Sequence, residues 1–257
     1  QPSFESVGTF SHIHEWTMGG LGIFASNGAL KTKIGDELKP GSGYRSEIDK
    51  KTEEAPIGYY KVQLKDYDIK AEMTATTRCG LMRFTFPQNR DSSRVLVDLH
   101  IPSEYDYRLK EISLRKISDH RIEGFAHQFS PRVWSNDAEQ DYTVHFVIEF
   151  DKPFQSMGGW INDTVSYGDH FQAKDIKEAG IFLQFNAKAN PVVKVRTGIS
   201  LVSIENARLN LTTELTGPFG WDFEAVRQHQ ADQWNDIFNR VNITTTNRQE
   251  KVRFHNA

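Results

Sequence analysis

From Asp141 to Phe150, apolar side chains fall on every second residue: Tyr142, Val144, Phe146, Ile148 and Phe150. Mostly polar residues stand between them, and that period predicts a half-buried strand. The same alternation runs through Tyr60, Val62 and Leu64, then Ile69, Ala71, Met73 and Ala75. It returns at Met82, Phe84 and Phe86, at Val95, Val97 and Leu99, and at Ile181, Leu183 and Phe185. A last run takes Val193 and Val195 into Ile199 and Leu201. Strands this closely spaced, punctuated by Gly, Pro, Asn and Asp, predict stacked antiparallel sheets. A βαβ arrangement needs helical patterns between strands, and the middle of the chain has none. The expected fold class is mainly β.

Two segments carry a different period. Residues 203–215 place Ile204, Ala207, Leu211 and Leu215 at helical spacing, with two threonines weakening the end. Beyond the breaker Gly217-Pro218-Phe219-Gly220, Asp222 is a helix N-cap and Glu224 suits the first turn. Val226, Trp234, Ile237 and Val241 then mark an apolar helix face. Residues 35–56 and 151–178 are rich in Gly, Pro and charge and are expected to be long loops, which often border a site.

Composition narrows the partners. The 31 Lys and Arg against 34 Asp and Glu leave a net charge of -3, so nucleic acid is a poor partner. No apolar run reaches the roughly 20 residues a membrane span needs. The one cysteine, Cys79, has no disulfide partner, and stability must come from burial.

The densest chemistry lies in 10–22, Phe-Ser-His-Ile-His-Glu-Trp-Thr-Met-Gly-Gly-Leu-Gly. On an extended chain His12 and His14 point the same way, the spacing of a metal-binding pair, and Glu15 adds a carboxylate. That opens one reading as a self-contained metal-dependent enzyme, although His100, His120, His127 and His145 carry no supporting motif. A second reading is sugar recognition by an independent carbohydrate-binding module. His, Glu and Trp together offer a donor, an acceptor and an apolar face. The plainer alternative is hydrogen bonding at a sheet edge. Trp160 beside two glycines is either a sugar platform or a loop anchor, and the anchor is favoured. Asp66, Asp68, Glu72, Asp98 and Asp106 show no spacing that singles out a glycosidase pair and are expected to face solvent. Cys79 is expected to be a small buried thiol.

Several strings together resemble glycoside hydrolase family 92, a family of α-mannosidases. They are His12-Ile-His-Glu-Trp-Thr-Met-Gly-Gly-Leu-Gly22, Asp68-Ile-Lys-Ala-Glu-Met-Thr-Ala-Thr-Thr-Arg-Cys-Gly80 with Arg83-Phe-Thr-Phe-Pro87, Gly198-Ile-Ser-Leu-Val-Ser-Ile-Glu-Asn-Ala207, and Trp221-Asp-Phe-Glu224 with Trp234-Asn235. The resemblance implies a β-supersandwich of the galactose mutarotase type over 1–217. Residues 218–257 would be a helical linker into an (α/α)6 catalytic domain that lies beyond this chain. It further implies a Ca2+-dependent, inverting exo-α-mannosidase acting on mannose-containing glycans. The ion and the catalytic carboxylates would belong mainly to the absent domain, leaving this chain inactive alone and without a metal of its own. Trp16 would pack on the sugar with His14, Glu15 and Thr17 as neighbours. The His-Glu-Trp-Thr-Met form is nearer to members acting on α-1,2 linkages. A periplasmic or secreted location is also implied. Two departures stand out: Met82 replaces a common histidine, and a Pro-Phe-Ile-Gly segment expected before Phe4 is missing.

Overall fold

The structure, a computed structural model, describes residues 5–15, 18–39, 41–90, 92–100, 107–130, 139–188, 190–241 and 244–255. A ten-stranded antiparallel sheet runs in the spatial order Ser6–Val7, Ser46–Glu54, Tyr60–Leu64, Ile69–Ala75, Cys79–Thr85, Val192–Ser200, Gln140–Phe150, Arg121–Ser130, Arg108–Ser118 and His170–Ile176. A six-stranded sheet takes Thr164–Tyr167, Ser156–Ile161, Ala179–Phe185, Ser93–Asp98, Gly22–Ser26 and Phe10–Ser11. The mainly β, antiparallel sandwich read from the alternation is what forms.

One core joins the two sheets. Phe84, Phe146, Ile148, Val193 and Val195 enter it from the large sheet, and Val95, Val97, Ile181 and Leu183 from the small one. Each is almost wholly removed from water, which stabilises the fold by about 1.5–3 kcal/mol per side chain.

The central strands of the large sheet are apolar on both faces, because helices cover the other side. Cys79, Leu81 and Val147 form a second core with Ala207, Leu211, Leu215, Phe223 and Val226. The helix Ile204–Leu211 starts where Ser203 accepts a hydrogen bond from the Asn206 amide at 3.1 Å. Gly198 lets it lie close to the sheet: a Cβ there would stand 2.5 Å from the Ala207 carbonyl oxygen. At the two threonines the helix widens into a π-helical turn, Thr212–Thr216.

The helix Phe223–Phe238 begins at Asp222, whose side chain accepts from the Ala225 amide at 3.1 Å. Only Phe223, Val226 and Gln230 of this helix are buried. Trp234, Ile237 and Val241, read from the sequence as part of one apolar face, stand about half exposed.

Two expected loops are corrected. Residues 46–54 form a strand, and 151–178 contains Ser156–Ile161, Thr164–Tyr167 and His170–Ile176. Glycines within Ser156–Ile161 and full exposure along Thr164–Tyr167 hide the alternation in the second of these. Trp160 is buried in the main core, so it is an anchor and not a sugar platform.

Candidate functional site

The segment 10–23 is one long excursion. At its base Phe10 pairs with Ile23 and Ser11 with Gly22, inside the small sheet. At its far end His14 pairs with Gly19 and Glu15 with Met18, a separate two-stranded ladder. So short a ladder is marginal by itself, and its direction must come from outside contacts.

His12 supplies one such contact. Its backbone N–H and its Nδ1–H both donate to the Leu21 carbonyl at 3.0 Å. Since Nδ1 carries the proton, Nε2 is the acceptor, and the Thr197 hydroxyl donates to it. The Thr197 oxygen in turn accepts the Gly80 N–H at 3.2 Å. Burial pushes this imidazole below the usual histidine range, in keeping with a neutral ring.

Tyr142 supplies the other. Its phenol oxygen accepts the Gly19 N–H at 2.6 Å and lies 3.0 Å from the Gly19 carbonyl, to which it donates. The residues carried between these two anchors are the ones read from the sequence as sugar-facing. His14 and Glu15 are described in backbone only, while Trp16 and Thr17 lie outside the described residues.

The metal reading loses His12, because both of its ring nitrogens already hold hydrogen bonds. Other histidines are dispersed: His100 bonds to the Tyr107 carbonyl at 3.0 Å, His120 to the Phe150 carbonyl at 3.0 Å, and His127 to Asp141. Among the described residues no three His, Cys, Asp or Glu side chains converge on a metal position.

Beside His12 opens a cavity of about 650 Å³. Phe10, Tyr60 and Met73 line one side, the turn 76–78 its rim, and Gln230, Trp234 and Ile237 the helix side. Among the described residues no carboxylate lines it, and none there supplies an acid–base pair. Its rim is stiff: the Glu214 carboxylate, presented by the π-helical turn, accepts from the Thr76 hydroxyl at 2.6 Å, the Arg78 amide at 2.9 Å and Arg78 Nε at 2.6 Å. Cys79 also lines the cavity and is buried as expected, its thiol pushed up to about 12 chiefly by burial. Nothing in the sequence marked Glu214 for this role; only the π-helical turn turns it toward the rim.

Two carboxylates expected to face solvent are buried instead, namely Glu72 and Asp98. Glu72 accepts from Tyr59 at 2.9 Å and from Arg83 through Nε at 3.0 Å and Nη2 at 2.6 Å, with Lys70 Nζ 3.0 Å away. Burial works upward on its carboxyl, but the Arg83, Lys70 and Tyr59 bonds outweigh it and hold it at about 2. Asp98 accepts from the Tyr44 hydroxyl at 2.5 Å and the His100 amide at 2.9 Å. Burial nevertheless pushes it up to about 7. Asp106 lies outside the described residues.

The helices are tied down by cations from the sheet. Arg196 lies 4.0 Å over the Trp221 ring and donates to the Gly220 carbonyl at 2.8 Å. Arg83 sits 4.2 Å over Phe223, and Arg208 from the first helix pairs with Glu123.

Residues 2–200 match the family model described as the glycosyl hydrolase family 92 N-terminal domain. Residues 206–257 match that of the family 92 catalytic domain. An uncharacterized secreted glycosidase of Arthroderma benhamiae is 27% identical over 197 residues, covering 72% of this chain and 25% of the relative. Among solved structures, a family GH92 alpha-mannosidase from Bacteroides thetaiotaomicron superposes with a TM-score of 0.78 at 26% identity, over 95% of this chain and 32% of that one. A family GH92 inverting mannosidase of the same organism gives 0.74 at 19% identity, over 93% and 30%, a likeness of fold. The chain thus spans between a quarter and a third of the proteins it matches.

Proposed function

The chain belongs to glycosyl hydrolase family 92 as its N-terminal domain, and on that premise we propose that it forms the substrate-lining wall of an exo-α-mannosidase. The observation that carries this reading is the clamped hairpin 14–19. A short ladder bearing His14, Glu15, Trp16 and Thr17 is held at both flanks, by His12 and Tyr142. Family membership supports a glycoside hydrolase as parent, and the named activity of the structural relatives supports mannosides.

In this reading Trp16 covers the C–H face of a mannose unit and its polar neighbours address the hydroxyls. The chemistry lies elsewhere. Inversion needs two carboxylates about 6.5–9.5 Å apart with a water between, and these belong to the catalytic domain, as does the Ca2+. The described residues here do not fit a calcium cage, since no three carboxylate or imidazole side chains converge. The preference is for α-1,2-linked mannose in glycans. The proposed location is periplasmic or secreted, and the fungal relative's name supports secretion. No helix among the described residues is long and apolar enough to cross a membrane.

The partner is the family's catalytic domain. Trp234 and Ile237 on the helix Phe223–Phe238, with Val241 just past its end, lie within the catalytic-domain match and give it an apolar face to cover.

The test is Trp16→Ala in the complete hydrolase, assayed on an α-1,2-mannobioside. Loss of a stacking contact is expected to lower kcat/KM by about 1–3 kcal/mol. Unchanged kinetics remove Trp16 from the site, and hydrolysis by residues 1–257 alone sinks the accessory reading. Millimolar or tighter mannose binding by that chain would instead favour a carbohydrate-binding module.

A further inference from the structure

We infer that Tyr142 is a positioning residue for the sugar-facing hairpin, acting through the backbone of Gly19. The inference rests on the reading of Trp16 given above and adds a residue that the sequence pattern placed only on an inward strand position.

Tyr142 lies near the start of the strand Gln140–Phe150, on the same face as Val144 and Phe146. Its ring is half-buried and its hydroxyl ends at the hairpin. A phenol has one hydrogen and room to accept. Here it accepts the Gly19 N–H at 2.6 Å, and its own hydrogen has two acceptors in reach, the Gly19 carbonyl at 3.0 Å and Gln128 Oε1 at 3.1 Å. Gln128 is almost wholly buried and its amide is oriented from behind, because Nε2 donates to the Leu99 carbonyl at 2.9 Å. A chain of bonds therefore runs from the Leu99 backbone through Gln128 and Tyr142 to both polar groups of Gly19.

Gly19 is the ladder partner of His14, so whatever fixes Gly19 fixes the ladder formed by His14–Glu15 and Met18–Gly19. Gly20, next in line, backs onto Ile13 and Val144, with space for a Cβ at 3.5 Å from each. The hairpin is thus pressed against one side of the sandwich while its Gly19 end is hydrogen-bonded. Removing the hydroxyl leaves three polar groups with a lost partner, and leaves the apolar contacts intact. The ladder then samples more orientations, and a substrate must pay to select one.

The test compares Tyr142→Phe, Gln128→Met and Trp16→Ala in the complete hydrolase. Tyr142→Phe is expected to raise KM roughly five- to twentyfold with kcat within about twofold, since it weakens a contact made before and during the reaction alike. Hydrogen exchange at the Gly19 amide is expected to speed up at least tenfold in residues 1–257, with the thermal midpoint held within a few degrees. Gln128→Met, which keeps the hydroxyl but removes its brace, is expected to shift KM the same way by less. If Trp16→Ala raises KM while Tyr142→Phe does not, the positioning role is wrong and the site reading stands. If neither raises it, the site reading falls first. A Tyr142→Phe protein that loses kcat and thermal stability together, with KM unchanged, marks the tyrosine as structural and overturns the inference.

Discussion

The imidazole of His12 lies directly over the α-carbon of Gly80, where a Cβ would approach Nε2 to 2.8 Å and the Thr197 hydroxyl to 3.0 Å. Two stretches remote in sequence are thereby locked together, one bearing the hairpin and one forming a central strand. Gly80→Ala is expected to cost about 1–3 kcal/mol by overpacking, read from urea denaturation. Combining it with His12→Ala frees the space, so the double variant is expected to be more stable than the two single losses summed. Simple additivity would show that the contact is not felt.

Glu72 gives a stability that acid removes. Its carboxyl is held at about 2, below the ordinary 4.5, so its contribution is complete above pH 4.5 and disappears as pH falls through 2. Glu72→Gln is expected to cost about 3 kcal/mol at neutral pH, because Arg83 loses its buried counter-charge. The gap from the parent is expected to close in the acid range. A constant gap from pH 7 to pH 2 argues against the pairing.

Asp98 works in the opposite sense. Its carboxyl is raised from 3.8 to about 7, so the folded state holds its proton more tightly than the unfolded chain does. The associated stability is full below pH 3.8 and lost as pH rises to 7. The groups facing it are Tyr44, the His100 amide, Glu178 and Lys33; Glu178 adds to the rise and Lys33 opposes it. Over that window the parent is expected to lose on the order of 2–4 kcal/mol relative to Asp98→Asn. Parallel stability curves for the two proteins between pH 4 and 7 refute this.

Trp234 and Ile237 are 44% and 47% exposed. Changing both to Ser is expected to alter the stability of residues 1–257 by no more than about 1 kcal/mol. In the complete hydrolase the same pair is expected to lower the thermal midpoint by several degrees, through loss of a domain contact. A large effect in the shorter chain and none in the longer would reverse the assignment of this face.

The strands of the core were readable because each presents one face to the other sheet, as Phe146, Ile148 and Phe150 show. Where both faces are open, or glycines interrupt the run, the alternation fails. Thr164–Tyr167 is exposed throughout, and Ser156–Ile161 carries glycines at its centre. Arg108–Ser118 went unread because a bulge between Leu109 and Glu111 shifts its register. Glu72 looked like a solvent-facing residue since its burial comes from Arg83 and Tyr59, which the pairing of three successive strands sets beside it. The string 10–22 marked the site region, yet the side chains that aim it, Thr197, Tyr142 and Gln128, lie far along the chain and belong to no motif. Sequence spacing names what a hairpin carries; its anchors become visible when strands are placed side by side.

The cations that grip Trp221 and Phe223 make the helix after them an extension of the sheet. Anything joined to the end of that helix inherits its heading from Arg196 and Arg83, as a boom inherits its bearing from the mast. Chimeras that exchange N-terminal domains between relatives should therefore keep the sheet and residues 204–238 from the same parent. A seam cut through that stretch would leave the downstream half facing the wrong way even when both halves fold.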